Sequence, residues 1–81
     1  MNEKEKLLVI INDIREDKDL VAIESIKDEM SLRHDLELKS LDLATLTVML
    51  EEEFDIIIPD EALDKIEKVS DIQKIVGDII A

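Results

Sequence analysis

Only one glycine and one proline occur among the 81 residues of this chain, and this scarcity restricts the fold more than any other feature. Two-residue β-hairpins depend on turn formers such as glycine, so the chain has little material for a sheet of short strands. Leucine, isoleucine, glutamate and lysine dominate instead, and this composition favours helices. We therefore predict an all-α fold.

The length of the chain limits both the number of domains and the kind of site. Eighty-one residues allow one domain, residues 1–81, with a modest hydrophobic core. That core must be aliphatic, because the chain contains one phenylalanine and no tyrosine or tryptophan. A deep cleft with its own catalytic groups does not fit a domain of this size, so we predict that the protein is not an enzyme.

Two main helices are predicted from apolar residues that recur at helical spacing. The first runs from about residue 3 to 15 and begins with a capping box of Asn2 and Glu5. The second follows Ser40, which we predict as its N-cap. We predict buried stripes at Leu7, Ile10, Ile11 and Ile14 in the first helix and at Leu43, Leu46, Leu50 and Phe54 in the second, with Asp42, Thr45, Met49 and Glu52 on a solvated stripe.

Two further helices complete the predicted four-helix bundle. Pro59 ends the second helix, and Asp60 can cap a short third helix. Ser70 and Gln73 form a second capping-box pattern that opens the last helix. The predicted inward residues are Leu63 and Ile66 in the short helix and Ile72, Ile75, Val76 and Ile79 in the last one.

A long connection without clear periodicity precedes Ser40 and ends near Lys39. Loops of this length inside a small domain are usually functional or are held by buried side chains. We predict that apolar residues hold it against the core, namely Ile26, Met30, Leu32, Leu36 and Leu38.

The formal net charge of -12 restricts the partners of the chain. Nucleic-acid binding requires clusters of lysine and arginine, so we predict no nucleic-acid partner. A strongly negative protein attracts partners with basic patches, and its self-repulsion should make stability rise with salt. No apolar run approaches the length of a membrane span, and the start of the chain lacks a signal-peptide pattern, so we expect a cytoplasmic protein and no membrane partner.

Two possible reactive or metal sites are weak. Ser40, His34 and Asp35 do not form a convincing nucleophilic triad, because the serine lacks the Gly-x-Ser-x-Gly turn and an evident oxyanion site. The segment from Asp13 to Glu24 has acidic residues at several calcium-loop positions, but Lys18 replaces the glycine that the sharp turn needs. We predict no dedicated metal site, and weak divalent-ion binding by this acidic segment stays open as an alternative.

Five motifs follow one another in the second half of the chain: Asp35-Leu36, Ser40-Leu41-Asp42, LEEEFDI from Leu50 to Ile56, Ile58-Pro59-Asp60, and Val69 followed by Asp71. In this order and at this spacing they resemble the acyl carrier proteins of fatty-acid and polyketide synthesis. The resemblance implies a small four-helix bundle of three main helices and one short helix. It also implies a covalent 4'-phosphopantetheine, derived from coenzyme A, on Ser40, where its thiol carries acyl groups as thioesters.

The resemblance further implies partners and two sets of side chains. The partners are a phosphopantetheinyl transferase and acyl-loading and acyl-processing enzymes with basic patches, and nothing requires more than a monomer. The implied partner-binding residues are Leu41, Asp42, Val48, Glu51 and Glu52. The implied acyl pocket consists of Leu46, Leu50, Phe54, Ile58, Leu63 and Ile66, which are equally suited to ordinary core packing.

Several positions depart from the family pattern. Lys39 stands where the family usually has aspartate, and Glu37 stands where it usually has glycine. Thr45 replaces a common glutamate of the docking face, and Thr47 makes the helix more polar. These departures suggest a specialised carrier, and Lys39 could pair with the attached phosphate. The alternative is an unmodified acidic adapter that keeps the fold and binds basic partners.

Overall fold

A computed structural model describes residues 2–80 of the chain. These residues contain four helices: α1 at Glu3–Asp17, α2 at Ser40–Phe54, α3 at Asp60–Leu63 and α4 at Val69–Ile80. The all-α prediction of three main helices and one short helix is confirmed. Within this part of the chain, no helix combines the length and the apolar character needed to cross a bilayer.

Helix α1 begins as predicted but ends later. The Asn2 side chain accepts a hydrogen bond from the Glu5 amide at 2.8 Å, which caps the first turn. The helix continues to Asp17, two residues beyond the predicted end. In the last turn of α1 the Arg15 side chain points inward and is buried, although the predicted apolar stripe ends at Ile14.

The predicted cap at the start of α2 is wrong. Ser40 is the first residue of the helix, and Lys39 takes the N-cap position with extended backbone. The Asp42 carboxylate reaches back and accepts a hydrogen bond from the Lys39 amide at 2.8 Å. An aspartate in the first turn is also favoured by the positive end of the helix dipole, so it replaces the serine as the capping side chain.

The last two helices begin in a similar way. Pro59 takes the N-cap position of α3, and Asp60 is its first residue rather than its cap. Helix α4 begins at Val69, one residue before the predicted cap Ser70. The Asp71 carboxylate accepts hydrogen bonds from the amides of residues 67 and 68, both at 2.9 Å. At the starts of α2 and α4, carboxylates therefore accept the hydrogen bonds of backbone amides, where serines were predicted as the caps.

The core is aliphatic and follows the predicted stripes closely. Its buried members are Leu7, Ile10, Ile11, Ile14, Ile26, Leu32, Leu36, Leu38, Leu43, Leu46, Leu50, Ile58, Ile66, Val69, Ile72 and Val76. Phe54, Leu63 and Ile75 are only partly buried against this cluster. Ile79, predicted to face inward, is 37% exposed because it lies in the last turn of the chain's final helix. Met49, predicted on the solvated stripe, is partly buried beside α1.

The long connection between α1 and α2 is held by the predicted apolar residues, of which four are buried and Met30 is partly buried. Hydrogen bonds also hold it. The Asn12 side chain donates to the Ile23 carbonyl and accepts from the Ile23 amide, both at 2.9 Å. Farther along, the Leu32 amide donates to the Glu67 carbonyl at 2.9 Å, which joins the connection to the segment before α4. The irregular connection is therefore fixed to α1, to the segment before α4 and to the start of α4 itself.

Candidate functional site

Ser40 is exposed at the N-terminus of α2. The first amides of an α-helix have no partner within the helix, and the dipole makes this end positive. Asp42 satisfies the Lys39 amide, which precedes the helix. The hydroxyl of Ser40 therefore stands on the surface where a negatively charged substituent is favoured.

One basic side chain contacts this hydroxyl directly. The Arg33 guanidinium donates a hydrogen bond from Nη2 to Ser40 Oγ at 3.2 Å. Lys39 precedes the serine and is exposed. Because 22 of the residues are acidic and only 10 are lysine or arginine, two cationic side chains beside one serine are unusual for this chain.

No nucleophilic triad forms at Ser40. The His34 backbone amide donates to Ser31 Oγ at 3.1 Å, and the Asp35 carboxylate accepts from the Ser31 amide at 2.7 Å. Within residues 2–80, no hydrogen bond joins His34 or Asp35 to Ser40. These residues build the turn before the site rather than an activated serine.

The end of α1 fixes the backbone that leads to Ser40. Arg15 donates from Nη1 to the Leu36 carbonyl at 2.7 Å, and Lys18 donates to the Glu37 carbonyl at 3.0 Å. Lys18 also forms a short ion pair with Asp42. The hydrogen bond from Lys18, followed by that from the Lys39 amide, lowers the pKa of the Asp42 carboxyl. Two basic residues at the end of α1, Arg15 in its last turn and Lys18 at its C-cap, thus hold the turn into α2.

Within residues 2–80, Glu37 is one of three non-glycine residues with a positive φ, here 56°. This left-handed conformation is the one that glycine adopts without steric cost. Glycine is the residue that the family resemblance led us to expect at this position. Residue 37 therefore keeps the left-handed backbone conformation that suits glycine, although its glutamate side chain makes this conformation less favourable.

The five implied partner-binding residues differ in their surroundings. Leu41 is 79% exposed and Val48 is 51% exposed, and Glu52 is also exposed. Asp42 is half-buried in its bonds to Lys39 and Lys18, as described above. Glu51 is half-buried as well, and its carboxylate accepts a hydrogen bond from the Ile58 amide at 2.8 Å. Three of the five side chains are therefore available to a partner, and two have contacts within the chain.

The six implied acyl-pocket residues lie in or against one aliphatic cluster. Leu46, Leu50, Ile58 and Ile66 are buried, whereas Phe54 and Leu63 are partly buried. Leu63 and Ile66 line an open groove together with Ser31, Arg33, His34, Asp64 and Glu67. Leu50 and Phe54 line a narrow cleft with Glu3, Leu7, Ile72, Gln73 and Val76. The groove is polar on one side and reaches the side chain that contacts Ser40.

The acidic segment near the end of α1 does not fold as a calcium loop. Asp13 and Asp17 lie on α1, which continues through Asp17. In the part of the chain from residue 2 to 80, no group of three or more histidine, aspartate or glutamate side chains is arranged to hold a metal ion.

Comparison with known proteins identifies the family. The model of the family described as "Phosphopantetheine attachment site" matches residues 9–76, which is most of the chain. The acyl carrier protein of Rubrobacter xylanophilus is 41% identical over 69 residues, which cover 85% of this chain and 85% of that protein. The chain belongs to the acyl carrier protein family. The prediction made from the five motifs is therefore confirmed.

Two further comparisons agree with this assignment. The acyl carrier protein of Clostridium acetobutylicum is 42% identical over 62 residues, covering 76% of this chain and 80% of that protein. The crystal structure of the acyl carrier protein from Thermotoga maritima superposes with a TM-score of 0.76 at 31% identity. It covers 96% of this carrier and 91% of that chain, so the likeness extends over the whole bundle.

The cofactor of this acyl carrier protein is 4'-phosphopantetheine. The surroundings of Ser40 fit a phosphodiester, because an exposed hydroxyl, a helix N-terminus and the Arg33 guanidinium meet there. When bound, the group supplies a thiol on a long arm, to which an acyl chain is attached as a thioester. The protein needs only to present the hydroxyl and to receive the negative charge.

Sequence reasoning missed three basic residues of this site. Arg33 lies seven positions before Ser40, Arg15 lies on α1, and Lys18 is the C-cap of that helix. No local pattern signals such contacts, because they depend on the path of the irregular connection. The one feature of the sequence that could have drawn attention to these residues is their rarity, because the chain has 22 acidic residues and only 10 lysines and arginines.

Proposed function

We propose that this protein carries acyl intermediates as thioesters on a phosphopantetheine arm attached to Ser40, for fatty-acid, polyketide or related biosynthesis. The observation that supports this most directly is the exposed Ser40 hydroxyl at the N-terminus of α2 with a guanidinium against it. The serine also lies within the segment that the family model matches. We further propose that residues 1–81 act as one carrier domain, as a monomer in the cytoplasm.

The attachment is a group transfer catalysed by a phosphopantetheinyl transferase. Ser40 Oγ forms a bond to the phosphorus that bears the pantetheine arm, and the pyrophosphate bond of coenzyme A breaks. Adenosine bisphosphate leaves, and the hydroxyl proton passes to a base of the transferase. Ser40 has no hydrogen-bonded base among residues 2–80, which fits a residue that is a substrate of the transferase and not a catalyst.

We propose that partner enzymes dock through Leu41, Val48 and Glu52 on the exposed side of α2. These side chains combine apolar area with negative charge, and the net charge of -12 attracts basic patches from a distance. Asp42 and Glu51 support this face indirectly, because they accept hydrogen bonds from the Lys39 amide before α2 and from the Ile58 amide after it. We also propose that the acyl pocket is formed by Leu46, Leu50, Phe54, Ile58, Leu63 and Ile66. These residues lie in or against the closed core, so the helices must separate before an acyl chain can enter.

The test is the intact mass of the protein after incubation with coenzyme A, Mg²⁺ and a broad-specificity transferase. We expect a gain of one phosphopantetheine, lost in Ser40→Ala and kept in Ser25→Ala, because Ser25 is an exposed serine of the connection. Lys39→Asp should accelerate the gain, since it restores the residue that the family usually has there. If neither the parent nor Lys39→Asp gains mass, the carrier proposal is wrong and the unmodified adapter replaces it.

A further inference from the structure

The guanidinium of Arg33 lies beside Ser40 but donates only one hydrogen bond to it. A guanidinium carries five N–H donors in a planar fork that matches carboxylates and phosphates. The Ser40 hydroxyl accepts one hydrogen bond from it, and that bond is long, at 3.2 Å. Among residues 2–80, no carboxylate pairs with Arg33, although the chain has 22 acidic residues.

The backbone that carries Arg33 is fixed. The flanking residues Leu32 and Leu36 are fully buried. The Leu36 amide donates to the Ser31 carbonyl at 3.1 Å, and the Leu32 amide donates to the Glu67 carbonyl at 2.9 Å. The Arg33 side chain therefore starts from a rigid turn next to α2, and its direction toward Ser40 does not depend on a mobile loop.

We propose that Arg33 is the residue that holds the phosphodiester in the modified protein. This inference rests on the proposed attachment at Ser40. A phosphodiester on Ser40 Oγ brings two non-bridging oxygens, which share one negative charge, next to the atom that the guanidinium already contacts. Charge-assisted hydrogen bonds to phosphate are stronger than one to a hydroxyl. Lys39, on the adjacent residue, adds a second positive charge. Arg33 also lines a groove with Leu63 and Ile66, so this groove lies beside the attachment point.

Arg33 acts as a positioning residue, so the test needs a readout other than acyl-carrier activity. The phosphodiester gives a phosphorus NMR signal whose chemical shift and relaxation rate report on its contacts and mobility. The proteins to compare are the modified parent, Arg33→Gln, Arg33→Lys and, as a charge-matched control, Lys27→Gln. Lys27 is exposed in the same connection and forms no ion pair among the described residues.

We expect Arg33→Gln to shift the phosphorus signal and to slow its transverse relaxation, because the phosphate becomes more mobile. Arg33→Lys should restore part of the change, and Lys27→Gln should match the parent. In the parent, raising NaCl from about 0.01 M to about 1 M shortens the Debye length from about 30 Å to about 3 Å, so the signal should move toward that of Arg33→Gln.

Two results would overturn the inference, and they are distinguishable. If the parent is modified but Arg33→Gln has the same phosphorus shift and relaxation rate, Arg33 does not hold the phosphate and the carrier proposal stands. If neither the parent nor Lys39→Asp takes up phosphopantetheine, the proposed function fails and this inference fails with it. Unfolding in urea serves as a structural check, and we expect Arg33→Gln to match the parent because the side chain is exposed.

Discussion

Arg15→Met should destabilise the protein strongly, although it replaces a charged residue with an apolar one of similar length. Arg15 is only 6% exposed. It donates to the Leu36 carbonyl at 2.7 Å and to the Val21 carbonyl through Nη2 at 2.9 Å and Nε at 3.2 Å. Methionine fills part of the space but donates no hydrogen bond, so both carbonyls lose their partner.

The two losses differ in size because the two carbonyls differ in access to water. Leu36 is buried, and a buried carbonyl left unpaired costs about 1–3 kcal/mol. Val21 is 82% exposed, so water can replace Arg15 there and the loss is about 0.5–1.5 kcal/mol. The nearby Glu37 carboxylate, at 3.8 Å and well exposed, adds little. The unfolding free energy should fall by about 2–4 kcal/mol, against a total of about 4–12 kcal/mol expected for a domain of this length.

Urea denaturation followed by circular dichroism at 222 nm, the usual helix band, measures this change, and Tm should fall by roughly 10–25 °C. Arg33→Met is the matched control, because Arg33 is the only other arginine and is exposed. It should stay within about 0.5 kcal/mol of the parent. Arg15→Lys should lie between, since one ammonium cannot reach both carbonyls. If Arg15→Met differs from the parent by no more than the control does, the hydrogen bonds of Arg15 do not stabilise the connection as argued.

Three other changes test separate features of the structure. Glu37→Gly should raise the unfolding free energy by about 0.5–1 kcal/mol in urea titrations, because φ at this position is 56° and glycine adopts this conformation without steric cost. Glu24→Gly is the control, at an exposed position without a positive φ, and it should lower the unfolding free energy. Equal effects of the two substitutions would contradict the assignment of strain to Glu37. The Glu67 and Lys68 amides lower the pKa of Asp71, so its stabilisation is complete above the ordinary aspartate pKa and is lost as the pH falls through the lowered value. The difference in unfolding free energy between the parent and Asp71→Asn should therefore shrink below about pH 4, and a constant difference would refute this. Scanning calorimetry in increasing NaCl should show a rising Tm, because salt screens the self-repulsion of a chain with a net charge of -12; a flat or falling Tm would count against it.

The sequence predicts the buried positions well, because hydrophobic periodicity records which face of a helix is covered. Leu43, Leu46 and Leu50 are buried as their spacing indicates. Even the irregular connection is held by predicted residues such as Leu32 and Leu38, since isolated leucines in a polar loop have little reason to be exposed. Burial is a local property of side-chain chemistry, so it can be read from the chain itself.

The sequence predicts the start of α1 correctly, but it predicts the starts of the other helices and the long-range polar contacts poorly. Serine and aspartate lie within two residues of each other at both Ser40 and Ser70, and both side chains can satisfy the first amides. The charged carboxylates form the stronger hydrogen bonds, and α2 begins one residue and α4 two residues before the start that a serine cap would give. The contacts of Arg15 and Arg33 depend on carbonyls and hydroxyls of distant segments, whose positions exist only in the folded chain. The motif therefore predicts a candidate site at Ser40, but it does not predict the basic contacts around that residue.

Helix α3 has a further consequence for how the interior opens. It is four residues long and contains no buried residue. Its neighbouring segments are held by the Glu51 hydrogen bond to Ile58 on one side and by the bridge between Ser31 and Lys68 on the other. Short elements with few buried contacts open locally at a free energy well below that of global unfolding. Amides around α3 should thus exchange with solvent far faster than those in the middle of α1 and α2. We therefore expect the interior to open first at the edge near α3, while α1, α2 and α4 stay folded.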